Sequence, residues 1–472
     1  MSSRTKISTD NSQRAVTDFI CAPATAAGAR SAIAVIRASG SGDKPGAIFA
    51  ALGEAFTTRT GKTAAELGAR ETHYGILKDG AEVIDDVILV KFADAASFTG
   101  EDSFEINCHG NPLIIRRILS LLYALGFRAA EPGEFTRRAY LNGKLGLDAA
   151  QAVAEIIEAR SALSLKAAQR LSQGFFRKEM LMLRSQLMNL LADLNAELDF
   201  IDEDISFATR ETKLKILAEA ETAALRLESE AARFDRLKGG VHIAIVGAPN
   251  AGKSSLMNRF LGHDRSIVSD IAGTTRDYIE AEIEIAGVNI RLFDTAGLRE
   301  NAGDAIEQLG IERTHELISR AHICLLLIDG SEPRHSESLA PGFAPAAARL
   351  TVVNKSDVLH PSWKSIAEAE NTPIFLSART GDGMPALLLA IGSIVAELSP
   401  AEALPLSDWQ RNLLTQIAHH LHNAGEGVRD NELPEVISHT VNEAVRKIAE
   451  LTGDITSEDI LGRIFSRFCI GK

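Results

Sequence analysis

Residues 241–255 read VHIAIVGAPNAGKSS, and this stretch decides the fold of the central part of the chain. Val241 to Val246 is a short β-branched run typical of a buried strand, and Ser255 to Leu261 is compatible with a helix. Between them, Gly247 to Ser254 matches the phosphate-loop pattern GxxxxGKS/T. A strand, a glycine-rich loop and a helix in this order predict a nucleotide-binding domain built on a parallel sheet.

The residue types of this loop suit phosphate binding. Glycines let backbone amides curl around the β-phosphate, and the N-terminus of the following helix favours an anion. Lys253 can reach the β and γ oxygens, and the Ser254 hydroxyl can bind magnesium. We therefore predict that these loop residues contact the nucleotide: Asn250, Ala251, Gly252, Lys253, Ser254 and Ser255.

A second motif, Asp294-Thr295-Ala296-Gly297, follows the predicted strand Val288 to Phe293. A carboxylate at a strand end can hold magnesium through water, and the Gly297 amide can face the γ-phosphate. Residues 269–275 read SDIAGTT and predict a switch loop, in which Thr275 completes the magnesium shell with Ser254 when the γ-phosphate is present. These residues therefore join the predicted nucleotide site: Ser269, Asp270, Ile271, Ala272, Gly273, Thr274, Thr275, Asp294, Thr295, Ala296 and Gly297.

A third motif, Asn354-Lys355-Ser356-Asp357, follows the predicted strand Leu350 to Val353 and selects the base. The Asp357 carboxylate can accept from the ring N–H and the exocyclic amine of guanine together, a donor pair that adenine lacks. Ser377-Ala378-Arg379, after the predicted strand Ile374 to Leu376, can supply a backbone amide for the guanine carbonyl. The sequence therefore predicts that these residues select GTP rather than ATP: Asn354, Lys355, Asp357, Ser377, Ala378 and Arg379.

The residue that orients the attacking water is not fixed by these motifs. Leu298 stands where small GTPases place a water-orienting glutamine, and its side chain cannot hydrogen-bond to water. Carboxylates follow at Glu300, Asp304, Glu307 and Glu312, and any one of them could instead belong to a solvated acidic helix start. Asn250 offers an oxygen near the phosphates, either to hold a monovalent cation that neutralises developing charge or simply to shape the loop.

The composition of the flanking regions predicts a multidomain chain. Residues 17–140 mix β-branched runs with an apolar helical segment, residues 141–237 are rich in helix formers and predict long helices, and helical composition returns after residue 400. We predict a flexible N-terminus at 1–16, an N-terminal α+β domain at 17–140, and a discontinuous helical domain with halves at 141–237 and 400–472. A P-loop GTPase domain with a doubly wound, mostly parallel sheet is inserted between the halves at 238–399.

The overall composition is that of an ordinary globular protein. Of the 472 residues, 45% are hydrophobic and 24% are charged, which argues against wholesale disorder. The net charge of -13 argues against a generally basic surface, so any contact with RNA would be local. The four widely spaced cysteines predict neither a zinc site nor a disulfide framework. Because the N-terminus has no apolar segment and no run is long enough to span a bilayer, we expect a cytoplasmic protein; a transit peptide is the alternative, and the acidic Asp10 argues against it.

Over essentially its whole length after residue 16, the sequence resembles the tRNA modification GTPase family MnmE, also called TrmE. The matching motifs are NAGKSS at 250–255, DIAGTTRD at 270–277, DTAGLRE at 294–300 and the terminal Cys469-Ile-Gly-Lys472. The nucleotide motifs alone would fit ribosome-assembly GTPases equally well. The flanking helical halves and the terminal Cys-x-Gly-Lys favour MnmE.

The resemblance implies a function and a set of partners. It implies a potassium-stimulated homodimer that works with the flavin-dependent MnmG (GidA) protein, in a heterotetramer, on the wobble uridines of certain tRNAs. The product would carry a carboxymethylaminomethyl or aminomethyl group. The one-carbon unit would come from 5-formyl-tetrahydrofolate or a related folate, held by an N-terminal domain that also dimerises. A ribosome-assembly GTPase and a nonenzymatic GTP-switched scaffold are the alternatives.

The resemblance also implies residue roles. The catalytic glutamate of the family aligns with Glu307, next to an apparent one-residue insertion at 301–304. Cys469 is implied as a functional thiol, with a structural or substrate-facing role as the alternative, and Asn111 and Gly146 depart from the family pattern near the folate residues. The implied potassium ligands are Asn250, Ser269, Ile271 and Thr274, and the implied folate-binding residues are Arg37, Glu105, Lys144 and Lys472.

Overall fold

The structure is a computed structural model. It describes residues 18–26, 28, 30–93, 96–199, 207–263, 281–294, 321–333, 348–363, 373–398, 404–455, 458–466, 468 and 470–472. The described residues form two compact units. The first takes its residues from 1–154, 172–181 and 449–472, and the second from 155–171 and 182–448. Within the described residues, no helix is both long enough and apolar enough to cross a membrane.

The first unit is built on a seven-stranded sheet with the order β3-β4-β5-β6-β2-β1-β7. Neighbouring strands are antiparallel, apart from the parallel pair of β1 and β7. Two of these strands, β2 and β5, contain the β-branched runs Ala32 to Ile36 and Val83 to Phe92 in whole or in large part. The strands are β1 Ile20–Pro23, β2 Ile33–Ser39, β3 Phe56–Thr58, β4 Thr72–Asp79, β5 Glu82–Phe92, β6 Ser103–His109 and β7 Arg128–Ala129.

Side chains alternate between the two faces of this sheet. Phe104, Ile106 and Cys108 of β6 are buried in the core of the unit, while Glu105 and Asn107 point to the opposite face. Helices contribute further buried residues to this core. The helices that lie wholly or mainly in this unit are α1 Ala47–Leu52, α2 Pro112–Ala124, α3 Glu134–Leu141, α4 Leu147–Glu158 and α12 Glu458–Phe465.

The second unit contains a six-stranded sheet with the order β13-β12-β11-β8-β10-β9. Every pair is parallel except the hairpin of β9 and β10, which confirms the predicted mostly parallel sheet. A core of aliphatic strand residues and residues from two helices covers it. The elements are β8 Val241–Gly247, α8 Lys253–His263, β9 Ala281–Ile285, β10 Val288–Asp294, β11 Ile323–Asp329, β12 Ala348–Asn354, β13 Ile374–Phe375 and α9 Met384–Leu398.

The register of the parallel strands gathers the sequence motifs at one edge of the sheet. Gly247 of β8 pairs with Leu327 of β11, and Asp329 of β11 pairs with Asn354 of β12. Asp294, the last residue of β10, pairs with Ile245 of β8. Because the carboxyl ends of parallel strands meet at the same edge, this edge is where an open α/β sheet binds its ligand.

The helical regions differ in one respect from the expectation of long helices. Residues 147–172 form two short helices, α4 and α5, rather than one long one, because the chain breaks at Ala159 to Ser161 and Ser161 Oγ accepts from the Ser164 amide. Further along, α7 packs against α10, whose first turn carries a capping box between Ser407 and Gln410. The other helices are α5 Ala162–Ser172, α6 Phe175–Asp199, α7 Arg210–Lys238, α10 Asp408–Arg429 and α11 Pro434–Thr452.

Candidate functional site

The phosphate loop lies between the end of β8 and the start of α8. Two of its positions must be glycine, because neighbouring atoms leave no room there for a Cβ. A Cβ at Gly247 would lie 2.3 Å from Leu327 O. Gly252 has a φ of +95°, and a Cβ there would lie 2.1 Å from Asn354 Nδ2. Any side chain at either position would therefore displace a neighbouring strand or loop.

The lysine of the loop is buried, whereas its two serines and its asparagine are exposed. Lys253 is 6% exposed, and its Nζ donates to Gly247 O at 3.0 Å and to Ala248 O at 2.9 Å. Ser254 and Ser255 are exposed in the first turn of α8, and Asn250 is exposed with a left-handed φ of 64°. A helix N-terminus with a lysine held behind it is suited to binding the phosphates of a nucleotide.

Asn354 connects this loop to the region that follows β13. Its Nδ2 donates to Ala251 O at 2.8 Å, and its Oδ1 accepts from the Ala378 amide at 2.9 Å. The Ser356 amide donates to Leu376 O at 3.0 Å, which joins the Asn354 to Asp357 turn to the region after β13 a second time. The predicted phosphate-binding and base-binding residues therefore form one connected structure.

The carboxylate of Asp357, which the sequence predicts to recognise the base, is held in a fixed orientation. Ser377 Oγ donates to Asp357 Oδ1 at 2.6 Å, and Arg379 Nη2 lies 2.7 Å from Asp357 Oδ2. The hydrogen bond from Ser377 and the charge of Arg379 hold the pKa of Asp357 below its ordinary value. The carboxylate is thus ionised at neutral pH, as an acceptor for two guanine N–H groups must be.

Two further residues, which the sequence reasoning missed, support this region. Asp329 Oδ2 lies 2.5 Å from Lys355 Nζ, and Lys355 has a left-handed φ of 61°. Burial opposes the ionisation of Asp329, but hydrogen bonds from Lys355 and Ser331 lower its pKa overall. Arg259 of α8 donates from Nε to Ala378 O at 3.0 Å and from Nη2 to Arg379 O. The only signal for Asp329 in the sequence is its position directly after the apolar run Ile323 to Ile328, which forms β11.

Several predicted site residues lie outside the described residues. They are the candidate catalytic Glu307, the switch residues Ser269, Asp270, Ile271, Ala272, Gly273, Thr274 and Thr275, the residues Thr295, Ala296 and Gly297, and Cys469. Of the predicted magnesium and potassium ligands, the described residues therefore include Ser254 and Asn250. The Ser254 hydroxyl, exposed at the start of α8, is a hard oxygen donor of the kind that magnesium prefers.

A second polar cluster lies in the first unit and contains the predicted folate residues. Arg37 and Glu105 are cross-strand partners on β2 and β6, and Glu105 Oε1 accepts from Arg37 Nε at 3.0 Å and from Nη2 at 2.8 Å. The Arg37 guanidinium lies 5.6 Å from the ring centre of Phe98 and 5.8 Å from that of Phe135. The cation is therefore held between two aromatic rings and a carboxylate.

The other two folate candidates lie near the same cluster. The Lys472 carbonyl accepts from the Phe135 amide at 3.2 Å, so the C-terminal residue is joined to a ring that flanks Arg37. Lys144 packs beside Gly100, where a Cβ would lie 3.2 Å from Lys144 Cγ, and the neighbouring Asn142 Nδ2 donates to Thr99 O at 2.8 Å. Residues 98–100 thus connect Lys144 to the surroundings of Arg37.

An ionic network fixes α3, the helix that carries Phe135. Glu134 accepts from Arg128 and Arg138, and both arginines also pair with Asp18. Burial would raise the pKa of Glu134, but the hydrogen bonds from Arg128, the Glu131 amide and Arg138 lower it to about 2. The sequence reasoning missed this network, although the i, i+4 spacing of Glu134 and Arg138 is a signal for part of it.

The described cysteines do not form a reactive site. Cys21, Cys108 and Cys324 are buried and unpaired. Burial raises the pKa of the Cys21 and Cys324 thiols to about 12 and that of Cys108 to about 11. Nor do the described residues contain a group of three or more His, Cys, Asp or Glu side chains placed to hold a metal ion.

The mostly parallel sheet, the phosphate loop and the Asn354 to Asp357 turn define a P-loop GTP hydrolase. Comparison with models of protein families identifies the family within this class. The model described as the MnmE helical domain matches residues 147–469, and the model described as the GTP-binding protein TrmE N-terminus matches residues 19–144. The chain therefore belongs to the MnmE (TrmE) family of tRNA modification GTPases.

Similar proteins support the same family over most of the chain. The tRNA modification GTPase MnmE of Akkermansia muciniphila is 40% identical over 459 residues, which cover 96% of this chain and 98% of that protein. MnmE of Azoarcus sp. (strain BH72) is 41% identical over 397 residues, covering 84% of this chain and 87% of that protein. A crystal structure of Era from Aquifex aeolicus aligns with 38% of this chain and 67% of that chain at 24% identity. Its TM-score of 0.26 is too low for us to infer function from it.

Proposed function

We propose that this chain is a potassium-stimulated GTPase that modifies the wobble uridine of certain tRNAs in the cytoplasm. It acts with the flavin-dependent protein MnmG (GidA) and adds a carboxymethylaminomethyl or aminomethyl group. The one-carbon unit comes from 5-formyl-tetrahydrofolate or a related folate. The names of the relatives, tRNA modification GTPases at about 40% identity, support this assignment.

The observation that carries the proposal is that one chain combines a GTP site with a separate polar cluster suited to a folate. Arg37, held by Glu105 and flanked by Phe98 and Phe135, offers a cation beside aromatic faces. A folate carries a flat aromatic ring at one end and glutamate carboxylates at the other, which match these two features. Lys144 and Lys472 are the other two proposed ligands, because Lys144 packs beside Gly100 and the Lys472 carbonyl accepts from the Phe135 amide.

The proposed GTP chemistry assigns a role to each part of the loop. Lys253 reaches the β and γ phosphates, and Ser254 together with Thr275 holds a magnesium ion, which neutralises phosphate charge when bound. Asn250, Ser269, Ile271 and Thr274 hold potassium, whose charge takes the place of an arginine finger. Glu307 orients the attacking water, because Leu298 cannot.

We also propose that the chain forms a homodimer through the open face of the first sheet. Three apolar side chains on this face are well exposed, Ile33 at 63%, Tyr74 at 46% and Ile88 at 43%. Tyr74 and Ile88 are direct cross-strand partners, and Ile88 also pairs with Asn107 of β6. Exposed apolar side chains on one face of a sheet are typical of a surface that a partner covers, and a second copy offers a matching one.

Reconstitution tests the proposal. The purified chain, MnmG, unmodified tRNA, GTP and a one-carbon folate are combined in potassium buffer, and the tRNA nucleosides are analysed by mass. We expect a modified wobble uridine in the complete mixture, and none when GTP, the folate or this chain is left out. Full modification without the folate would refute the assigned carbon source, and full modification without this chain would refute the function.

A further inference from the structure

We propose that the side chain of Arg379 competes with guanine for the carboxylate of Asp357 and so limits how tightly the site holds its nucleotide. Arg379 Nη2 lies 2.7 Å from Asp357 Oδ2, while the other oxygen, Oδ1, accepts from Ser377 Oγ at 2.6 Å. The inference rests on the proposed recognition of guanine by Asp357. It adds a role for the Arg379 side chain, whereas the sequence motif predicts only a backbone amide of that segment as a contact to guanine.

Guanine and the Arg379 guanidinium compete because they present similar hydrogen-bond donors to the Asp357 carboxylate. The edge of guanine that carries the ring N–H and the exocyclic amine is an N–C–N fork with two N–H donors directed to one side. The arginine guanidinium presents the same fork, which is the geometry that binds a carboxylate. Guanine needs both oxygens of Asp357, and Arg379 already donates to one of them, so binding of the base replaces this ion pair.

The structure also indicates which partner moves. The Asp357 side chain is 15% exposed and held by Ser377, whereas the Arg379 side chain is 78% exposed. The main chain at this point is held independently, because Arg259 donates to the carbonyls of Ala378 and Arg379. The guanidinium can therefore swing into solvent while the carboxylate and the backbone keep their positions.

The expected effect is modest and depends on salt. An exposed ion pair changes an equilibrium severalfold at most, and salt screens it within a few ångströms at about 1 M. Arg379→Ala removes the competing cation and leaves the main chain in place. We expect the variant to bind GDP about threefold more tightly at about 0.05 M KCl, with the difference lost at about 1 M KCl.

The experiment is a double-mutant cycle measured by nucleotide titration of the full-length protein. Four proteins are compared: the unchanged chain, Arg379→Ala, Asp357→Asn and the double variant, with GDP for the first two and xanthosine diphosphate for the last two. Arg446→Ala, which removes another exposed arginine of the second unit, is the control for net charge. If Asp357→Asn does not shift preference from guanine to xanthine, the base assignment itself is wrong.

With that shift in place, the cycle tests the competition alone. We expect Arg379→Ala to tighten GDP binding at low salt only, and by more than Arg446→Ala does. In the Asp357→Asn background, we expect Arg379→Ala to leave the affinity for xanthosine diphosphate unchanged. Equal or weaker GDP binding by Arg379→Ala would overturn the proposal. So would the same gain in the Asp357→Asn background or in Arg446→Ala, because the effect would then not pass through Asp357.

Discussion

Asn354 donates from Nδ2 to the carbonyl oxygen of Ala251 at 2.8 Å, and this bond ties the last residue of β12 to the phosphate loop. The same side chain accepts from the Ala378 amide at 2.9 Å and is 2% exposed. A single buried amide thus fixes the distance between the loop proposed to hold the phosphates and the segment proposed to hold the base. Its two bonds are shielded from water, so their loss is not compensated by solvent.

Asn354→Ala should weaken binding of GDP and GTP by about tenfold or more, because each buried group left without a partner costs about 1–3 kcal/mol. The variant loses the hydrogen bonds that join the phosphate loop to the segment around Ala378, so contacts to both the phosphates and the base become weaker. Titration with a fluorescent guanine nucleotide measures the effect. Asn412→Ala, at an exposed position of α10, is the matched control, and equal affinities in the two variants would show that the anchor is not needed.

The sequence predicted the strands that lead into the nucleotide motifs well, because the information for a strand is local. The strands β8, β10 and β12 each end one residue beyond the predicted position, and all three lead directly into a motif. The connection through Asn354 was not predicted, since it depends on how the strands are ordered in the sheet. Parallel neighbours such as β8 and β11 are far apart in sequence, so periodicity alone does not reveal their pairing.

The polar cluster of the first unit depends even more on contacts between distant residues, which local sequence patterns do not reveal. Arg37 and Glu105 were named because of a family resemblance, and nothing in their local sequence indicates that they pair. Their contact depends on the antiparallel register of β2 and β6, which joins residues 68 positions apart. Likewise, the break between α4 and α5 was missed because helix-forming composition continues across it, while Ser161 caps the second helix locally.

Hydrolysis should be several times faster in potassium than in sodium at equal ionic strength, because the loop around Asn250 is proposed to hold the larger cation against the phosphates. Asn250→Ala should abolish the difference while retaining nucleotide binding. Steady-state phosphate release in the two salts measures both effects. Equal rates of the unchanged protein in the two salts would remove the cation from the mechanism.

Glu307→Ala should bind GTP normally and hydrolyse it about 100-fold more slowly, since loss of a group that positions water has an effect of this size. Single-turnover hydrolysis measures the chemical step directly. Glu300→Ala and Asp304→Ala are the controls on the neighbouring carboxylates. Full turnover by Glu307→Ala together with a slow Glu300→Ala or Asp304→Ala would transfer the role to that residue.

Arg37→Ala should weaken binding of 5-formyl-tetrahydrofolate by about tenfold or more while GTP affinity stays unchanged, because a cation beside two aromatic rings is lost. Lys472→Ala should act in the same direction. Calorimetry with each ligand separates the two sites. Arg117→Ala removes a more exposed arginine, on α2 in the same unit, and should bind the folate normally. Unchanged folate affinity in both test variants would show that the cluster is not the folate site.

Mass analysis of wobble nucleosides tests the central claim most directly. Three kinds of cells are compared: cells that lack this chain, the same cells supplied with the unchanged gene, and the same cells supplied with the gene for the Lys253→Ala variant. Lys253 holds the phosphate loop from inside, so its loss removes nucleotide binding without touching the folate cluster. The account predicts that the modified wobble uridine disappears without the chain, returns with the unchanged gene and stays absent with Lys253→Ala. Normal modification in cells that lack the chain would contradict the proposed function. Full restoration by Lys253→Ala would show that GTP is not required for it.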